Sequence, residues 1–376
     1  MNYIIRNKSV ITSKENLEPL YTFKNFPVFF GCVDHDSRED VRADMSFAIC
    51  PETGVIQIDK LLPLEVLYQA QHMDGTGPTW QAFYKDFTKY IAKQSPKKIL
   101  EIGGGKGTLG EVFVEETDDT IWTIVEPNPL RDSDERIKVI PAFFDERFQS
   151  EEQYDAVVFS HTLEHAYDPN EFLRAIASYL PEGGRLIFAY PQLDVWLKNK
   201  YTTALNFEHN MLLTDYFVDY LLAVHGFRIT DKRFYQEHSV YYTAEKVGEV
   251  NTLPFLESKY NEYKDLFMEF ISYHTTIVGQ LNKQINSFEG DVYLFGGHIF
   301  SQYLLEFGLR GDKITCILDN SKLKQGKRLY GSRLMVADPE ILRDVEKPAV
   351  ILKVGPYRDE IFRQLKEINK KVEIFE

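Results

Sequence analysis

Residues 98–110 read KILEIGGGKGTLG, an apolar run that breaks into glycines and then opens a helix. Ile99, Leu100 and Ile102 suit a parallel strand buried on both faces. Gly103, Gly105 and Gly107 permit a tight turn whose backbone N–H groups approach a bound ligand closely. Gly105, Gly107 and Gly110 also satisfy G-x-G-x-x-G, the dinucleotide spacing, so NAD is one candidate ligand. Glu101, at the strand end just ahead of the turn, favours another. A carboxylate there repels pyrophosphate but attracts the ammonium of an amino acid. S-adenosylmethionine carries that ammonium where NAD carries pyrophosphate, and the pattern therefore favours S-adenosylmethionine.

Working outward, TIWTIVEPNP (120–129) is a second apolar strand ending in Glu126. That acid lies about 20 residues beyond the glycines, the separation at which a carboxylate holds ribose hydroxyls. VIPAFFDERF (139–148) gives a third short strand and a turn. In S-adenosylmethionine-binding folds this turn lies beside the adenine, so Phe144 is expected to stack on the base and Asp145 to take its amino group. DAVVFS (155–160) is a fourth strand, ending in the polar patch Ser160, His161, Glu164 and His165. A helix carrying Phe172, Ile176 and Leu180 follows, closed by Pro181, Gly183 and Gly184, and RLIFAY (185–190) is the fifth strand. Residues 79–94 read as an amphipathic helix, with Trp80, Phe83, Phe87, Tyr90 and Ile91 on one face. This alternation specifies an α/β class, a parallel doubly wound sheet. Ligands on such sheets sit outside the carboxyl ends of the strands, which sets Gly105, Glu126, Ser160 to His165 and Pro191 along one rim.

The 376 residues suffice for two or three domains. A formal net charge of −14 argues against a nucleic-acid partner, because neutralising phosphates needs a basic surface. No signal-peptide core opens the chain and no stretch reaches the length of a membrane span. Cys32, Cys50 and Cys316 are scattered and odd in number, which suggests reduced thiols and a cytoplasmic location.

Residues 1–75 form a small, mostly β module by their short apolar runs. CPETG (50–54) is half of a zinc knuckle in which the second cysteine is Thr53. No other C-x-x-C or Cys/His cluster accompanies it, so neither zinc nor another metal is expected. QHMDGTGPTW (71–80) marks a boundary loop from which His72 and Asp74 reach a neighbouring site. The second domain spans 76–250. Its later part contains NFEHNMLLTDYFVDYLLAVHGFRI, in which Glu208 and His209 precede a helix begun near Thr214 and Asp215. A histidine beside a carboxylate is a plausible general base, since its pKa lies near neutrality. Residues 251–288 read as a helical connector, with Phe255, Tyr260, Tyr263, Phe267, Phe270, Ile271 and His274 on one face. Residues 289–376 restart the strand–helix alternation around Gly296-Gly297 and Asp319, a second Rossmann-like unit. Its turn lacks the full glycine fingerprint. Lys322, Lys324, Lys327 and Arg328 are its candidate phosphate partners.

EIGGGKGTLG, YDAVVFSHTLEHAYDP, FEHNMLLT and LFGGHIFSQYLLEFGL, in this order, resemble the bacterial sugar C-methyltransferases. The resemblance covers nearly the whole chain. It implies a zinc-type N-terminal module, a class I S-adenosylmethionine domain and a Rossmann-like C-terminal domain, acting in polysaccharide-precursor synthesis on nucleotide-linked deoxysugars. It gives the base role to His209, with Glu208 and His165 as neighbours, and lines the cofactor and acceptor cleft with Ser160 and His161. The chain departs from the family in three places. Of the cysteine quartet only Cys50 is present, Asn206 stands for a tyrosine ahead of the Glu-His pair, and the tyrosine-rich segment has become QHMDGTGPT. The expected function is S-adenosylmethionine-dependent methylation of a small molecule, at carbon by the resemblance. O-methylation of a sugar, a non-catalytic S-adenosylmethionine-binding subunit and a dinucleotide oxidoreductase are the alternatives.

Overall fold

The computed structural model describes residues 2–68, 77–118, 120–150, 152–248, 253, 255–353 and 358–376. His72, Asp74 and their boundary loop lie outside the described residues.

A seven-stranded sheet dominates the middle of the chain. Its spatial order is Phe227–Tyr235, Ser239–Lys246, Arg185–Pro191, Ala156–Ser160, Lys98–Ile102, Ile121–Val125 and Ile137–Ile140. The five strands from Arg185–Pro191 onward run parallel, as their continuous apolar character requires. Alternate residues go to opposite faces. Leu100, Ile102, Val157, Phe159, Leu186 and Phe188 enter one apolar cluster, while Ile99, Ala156, Val158, Ile187 and Ala189 enter another. The helix Pro78–Ala92 covers the second face with Phe83, Phe87, Tyr90 and Ile91. The helix Pro169–Tyr179 covers the first with Leu173 and Ile176, its start fixed by Asp168 accepting from the N–H groups of Asn170 and Glu171.

The sheet is not wholly parallel, in contrast to the sequence expectation. Phe227–Tyr235 and Ser239–Lys246 form an antiparallel hairpin that pairs with Arg185–Pro191. Its buried strand runs SVYYTA without polar alternation, so no period-2 signal marks it in the sequence. The strand order reverses between Lys98–Ile102 and Ala156–Ser160, which opens a crevice at their carboxyl ends.

The N-terminal part contributes a four-stranded sheet, in which Arg42–Ile49 lies between Glu18–Pro27 and Ile56–Ile58, with Met211–Leu212 added beyond. Cys50 is buried in its core, the thiol 3.9 Å from Asn16 Oδ1. The long helix is Tyr260–Ser287; Phe255 precedes it and is 87% exposed, outside the apolar face assigned to it by spacing. Thr214 precedes the helix Asp215–Val224, but its hydroxyl bonds Tyr263 at 2.8 Å rather than capping the helix.

The last part is a five-stranded parallel sheet centred on Asp291–Phe295. Its glycine turn is already occupied. The Gly297 N–H donates to Asp319 Oδ2 at 2.9 Å, and a Cβ at Gly297 would meet Cys32 Sγ at 2.8 Å. Three of the four candidate phosphate partners are paired instead: Lys324 with Asp319, Lys327 with Asp34, and Arg328 with Asp40.

Candidate active site

A cavity of about 870 Å³ opens at the strand-order reversal, between the turn after Lys98–Ile102 and the loop after Ala156–Ser160. Glu101, Gly103, Gly105, Glu126, Ser160 and His161 line one half. Glu164, His165, Glu208, His209, Trp196 and Tyr201 line the other. Two walls come from distant chain segments, Tyr68 from the N-terminal part and Ile299 from the C-terminal sheet's first helix.

Local chemistry shapes the first half. Glu101 is buried, and one carboxylate oxygen accepts from the Trp122 indole N–H at 2.6 Å. Gly107 has φ +79°, closes a turn onto the Gly104 carbonyl at 2.7 Å and precedes the helix Thr108–Glu116. It supports the turn without lining the cavity. Gly110 lets that helix touch the sheet, since a Cβ there would lie 2.8 Å from the Trp122 ring. Glu126 accepts from the N–H groups of Gly105 (3.3 Å) and Asn128 (3.1 Å), so the acid is oriented by the turn itself. His161, in the left-handed region at φ +53°, bridges Ser160 and Ser239 through its two ring nitrogens, each at 3.0 Å. Burial, with His238 nearby, holds its pKa well below the usual histidine value.

Phe144 and Asp145 are not brought to this cavity. Phe144 packs against Phe148, Phe172 and Tyr179, and Asp145 is half-buried and held by the Arg147 guanidinium. The apolar helix face nearby captures the aromatic ring, and a neighbouring cation two residues on captures the acid.

Asparagines stitch the second half together. Asn210 donates to the carbonyls of Glu164 (3.2 Å) and Ala166 (3.1 Å), while Arg6 holds its side-chain oxygen at 2.8 Å. Asn206 accepts from the N–H groups of both Glu208 and His209 at 2.8 Å. The residue standing in the tyrosine position thus orders the Glu-His loop. The His165 and His209 rings consequently stack, centroids 5.4 Å apart. His209 Nδ1 faces the Ala204 carbonyl at 3.3 Å. Burial lowers its pKa, opposed by Glu208 and by the Ala204 and Thr203 carbonyls, which favours the neutral ring.

Glu164 is fully buried, and burial first, then Glu208, pushes its pKa up to about 8. Neither of its oxygens has a hydrogen-bond partner among the described residues. Among those residues no lysine or arginine lines the cavity. Tyr68, raised to about 12 by burial and by Glu208, Glu126 and Glu164, faces the same acids. Tyr68, Trp196, Tyr201 and His238 carry no sequence signal of a site; Tyr68 stands just before the segment in which a tyrosine is expected.

Residues 79–250 match the family described as a methyltransferase domain, and residues 245–375 match the family described as a C-methyltransferase C-terminal domain. No curated protein matches the chain. Among solved structures, the 1,6-didemethyltoxoflavin-N1-methyltransferase of Burkholderia thailandensis is 16% identical, with a TM-score of 0.40, over 53% of this chain and 97% of its own. The N-methyltransferase NodS of Bradyrhizobium japonicum WM9 is 14% identical, with a TM-score of 0.35, over 46% and 98%. Human N-acetylserotonin methyltransferase is 17% identical, with a TM-score of 0.38, over 45% and 53%. No described helix is long and apolar enough to cross a membrane.

Proposed function

From the premise that the chain is an S-adenosylmethionine-dependent methyltransferase of class I fold, we propose that it methylates a nucleotide-linked sugar or related polysaccharide precursor at carbon. The observation that carries this reading is the division of one cavity into a two-acid cofactor half and a carboxylate–imidazole half. The C-methyltransferase description of the C-terminal domain supports carbon as the acceptor atom.

When bound, the sulfonium supplies an activated methyl group. Glu101, steadied by Trp122, complements the ammonium, and Glu126, steadied by two backbone N–H groups, complements the ribose hydroxyls. Gly103, Gly105 and Gly107 shape the turn between them, and Ser160 and His161 form the far wall. Across the cavity, the Glu208–His209 pair takes the proton from the acceptor carbon beside a carbonyl, with His165 against it. The pair's neutral imidazole and adjacent carboxylate suit proton acceptance near neutrality. Holding the acceptor in line with the methyl group removes the entropic cost of encounter, worth several kcal/mol.

Incubation of the full-length protein with S-adenosylmethionine and a panel of nucleoside diphosphate keto-deoxysugars tests the reading. A gain of about 14 daltons in one sugar, with the new methyl carbon-bound by NMR, is expected. An oxygen-bound methyl selects sugar O-methylation instead, and no gain across keto- and hydroxy-sugars overturns sugar methylation.

A further inference from the structure

Of the three tryptophans, Trp196 is the one that no other aromatic ring approaches closely. Trp122 is fully buried, 5.0 Å from Phe113, and Trp80 sits 4.8 Å from His238, 5.0 Å from His161 and 5.5 Å from Phe83. Among the described residues the ring neighbours of Trp196 are His209 and His238, at 6.2 and 6.1 Å and tilted by 44° and 70°, so neither lies flat on it. The indole packs against the main apolar core, stays only half-buried, and lines the cavity.

Its orientation is fixed from two sides. The indole N–H donates to the Glu237 carbonyl at 2.9 Å, and Asn199 donates to the Glu237 carboxylate, also at 2.9 Å. The Tyr201 N–H closes on the Trp196 carbonyl at 2.8 Å. The helix Leu193–Lys198 thus holds the indole at one end and the hairpin turn holds it at the other. With its one polar atom engaged, the ring offers the cavity a rigid apolar face beside the His209 imidazole.

A ligand that covers such a face gains the free energy of removing apolar surface from water. The negative face of an indole attracts the weakly positive hydrogens of C–H bonds. A flat heteroaromatic ring suits a slot between two parallel walls, which the tilts of His209 and His238 do not make. One apolar wall, in a cavity that also has the hydroxyl-bearing side chains of Tyr201 and Thr203, suits a puckered ring with a C–H face and hydrogen-bonding groups at its rim. A sugar is such a ring, and a deoxysugar has the larger C–H face. We infer that the Trp196 indole is the platform on which the sugar ring of the acceptor lies, and that stacking there sets the reacting carbon beside His209. The inference rests on the reading of the acceptor as a sugar and adds the residue that recognises it.

The test titrates full-length protein, saturated with S-adenosylhomocysteine, with the nucleoside diphosphate keto-deoxysugars of the panel. Binding is expected to quench tryptophan fluorescence, and Trp196→Phe is expected to lose the quench while still binding the sugar in calorimetric titration. Trp196→Ala is expected to raise KM for the sugar by about 10- to 100-fold with kcat changed less than about threefold, and Trp196→Phe to recover most of that loss. Unchanged S-adenosylhomocysteine affinity shows an intact donor half in each variant; if Trp196→Ala loses it, the fluorescence difference between wild type and Trp196→Phe decides. A quench that persists in Trp196→Phe, an unchanged KM in Trp196→Ala, or a fall in kcat alone overturns the platform while sugar methylation stands. Methyl transfer to no sugar of the panel overturns the sugar reading and the platform together.

Discussion

His209 is the residue on which the acceptor-side reading turns, because its orientation is set by neighbours that sequence spacing does not reveal. Asn206 holds its backbone and the Ala204 carbonyl holds its ring. His209→Asn is expected to lower turnover by about 10²- to 10⁴-fold, read by mass gain with the sugar panel, with S-adenosylhomocysteine affinity unchanged. Glu126→Ala is expected to do the reverse, weakening S-adenosylhomocysteine by about 10- to 100-fold in calorimetric titration, because charge-assisted bonds to the cofactor are lost. His238 gives the cavity a pH signature. Burial lowers its pKa to about 4, and His161, Tyr235 and the rings of Trp80, Phe83 and Trp196 face it. A histidine whose native pKa lies below its unfolded value contributes stability that is present above about pH 6.5 and lost as pH falls toward 4. His238→Gln is expected to remove about 2 kcal/mol of the stability lost between about pH 7.5 and about pH 5, measured by urea unfolding at the two pH values.

At the scale of elements, the glycine turn and the five parallel strands are legible because each obeys a local rule: buried period, positive φ, or close helix approach. Gly110 illustrates the last of these. Gly110→Ala places a methyl against the Trp122 indole, and is expected to cost about 1–3 kcal/mol and to loosen S-adenosylhomocysteine by displacing the indole from Glu101. Thermal unfolding and titration read the two effects separately. The hairpin Phe227–Lys246 is not legible, because the buried run SVYYTA lacks polar alternation and its site residue, His238, lies in a polar turn. Phe144 and Asp145 stand outside the cavity lining. Their position in the chain suits an adenine contact, while here Phe144 packs in an aromatic cluster and Asp145 pairs with Arg147. His209 comes beside Glu164 and His165 through the loop that Asn210 stitches, a contact spanning 46 residues of chain.

Across the whole molecule, the N-terminal and C-terminal parts are joined by polar bonds as well as apolar packing. Arg328 makes a bidentate pair with Asp40, both nearly inaccessible, each bond 2.7 Å, and the Gly331 N–H adds a third bond to the same carboxylate. Asp40→Ala leaves the Arg328 guanidinium buried without a counter-charge, and is expected to cost about 3–5 kcal/mol in chemical denaturation. Asp40→Ala combined with Arg328→Met is expected to recover part of that loss. The Tyr303 hydroxyl, on the helix that also supplies Ile299, bonds the Leu205 carbonyl and so fastens the C-terminal sheet to the loop ahead of Glu208. The acceptor wall is therefore assembled by all three parts of the chain.

The cavity's wealth of carboxylates, with no lysine or arginine among the described lining residues, has a bearing on turnover. The methyl donor enters with a positive sulfur and leaves as an uncharged thioether, so the surrounding acids attract the spent molecule less strongly than the fresh one. Discharge of the ligand by its own reaction thereby helps to eject it and favours its exchange for the next donor.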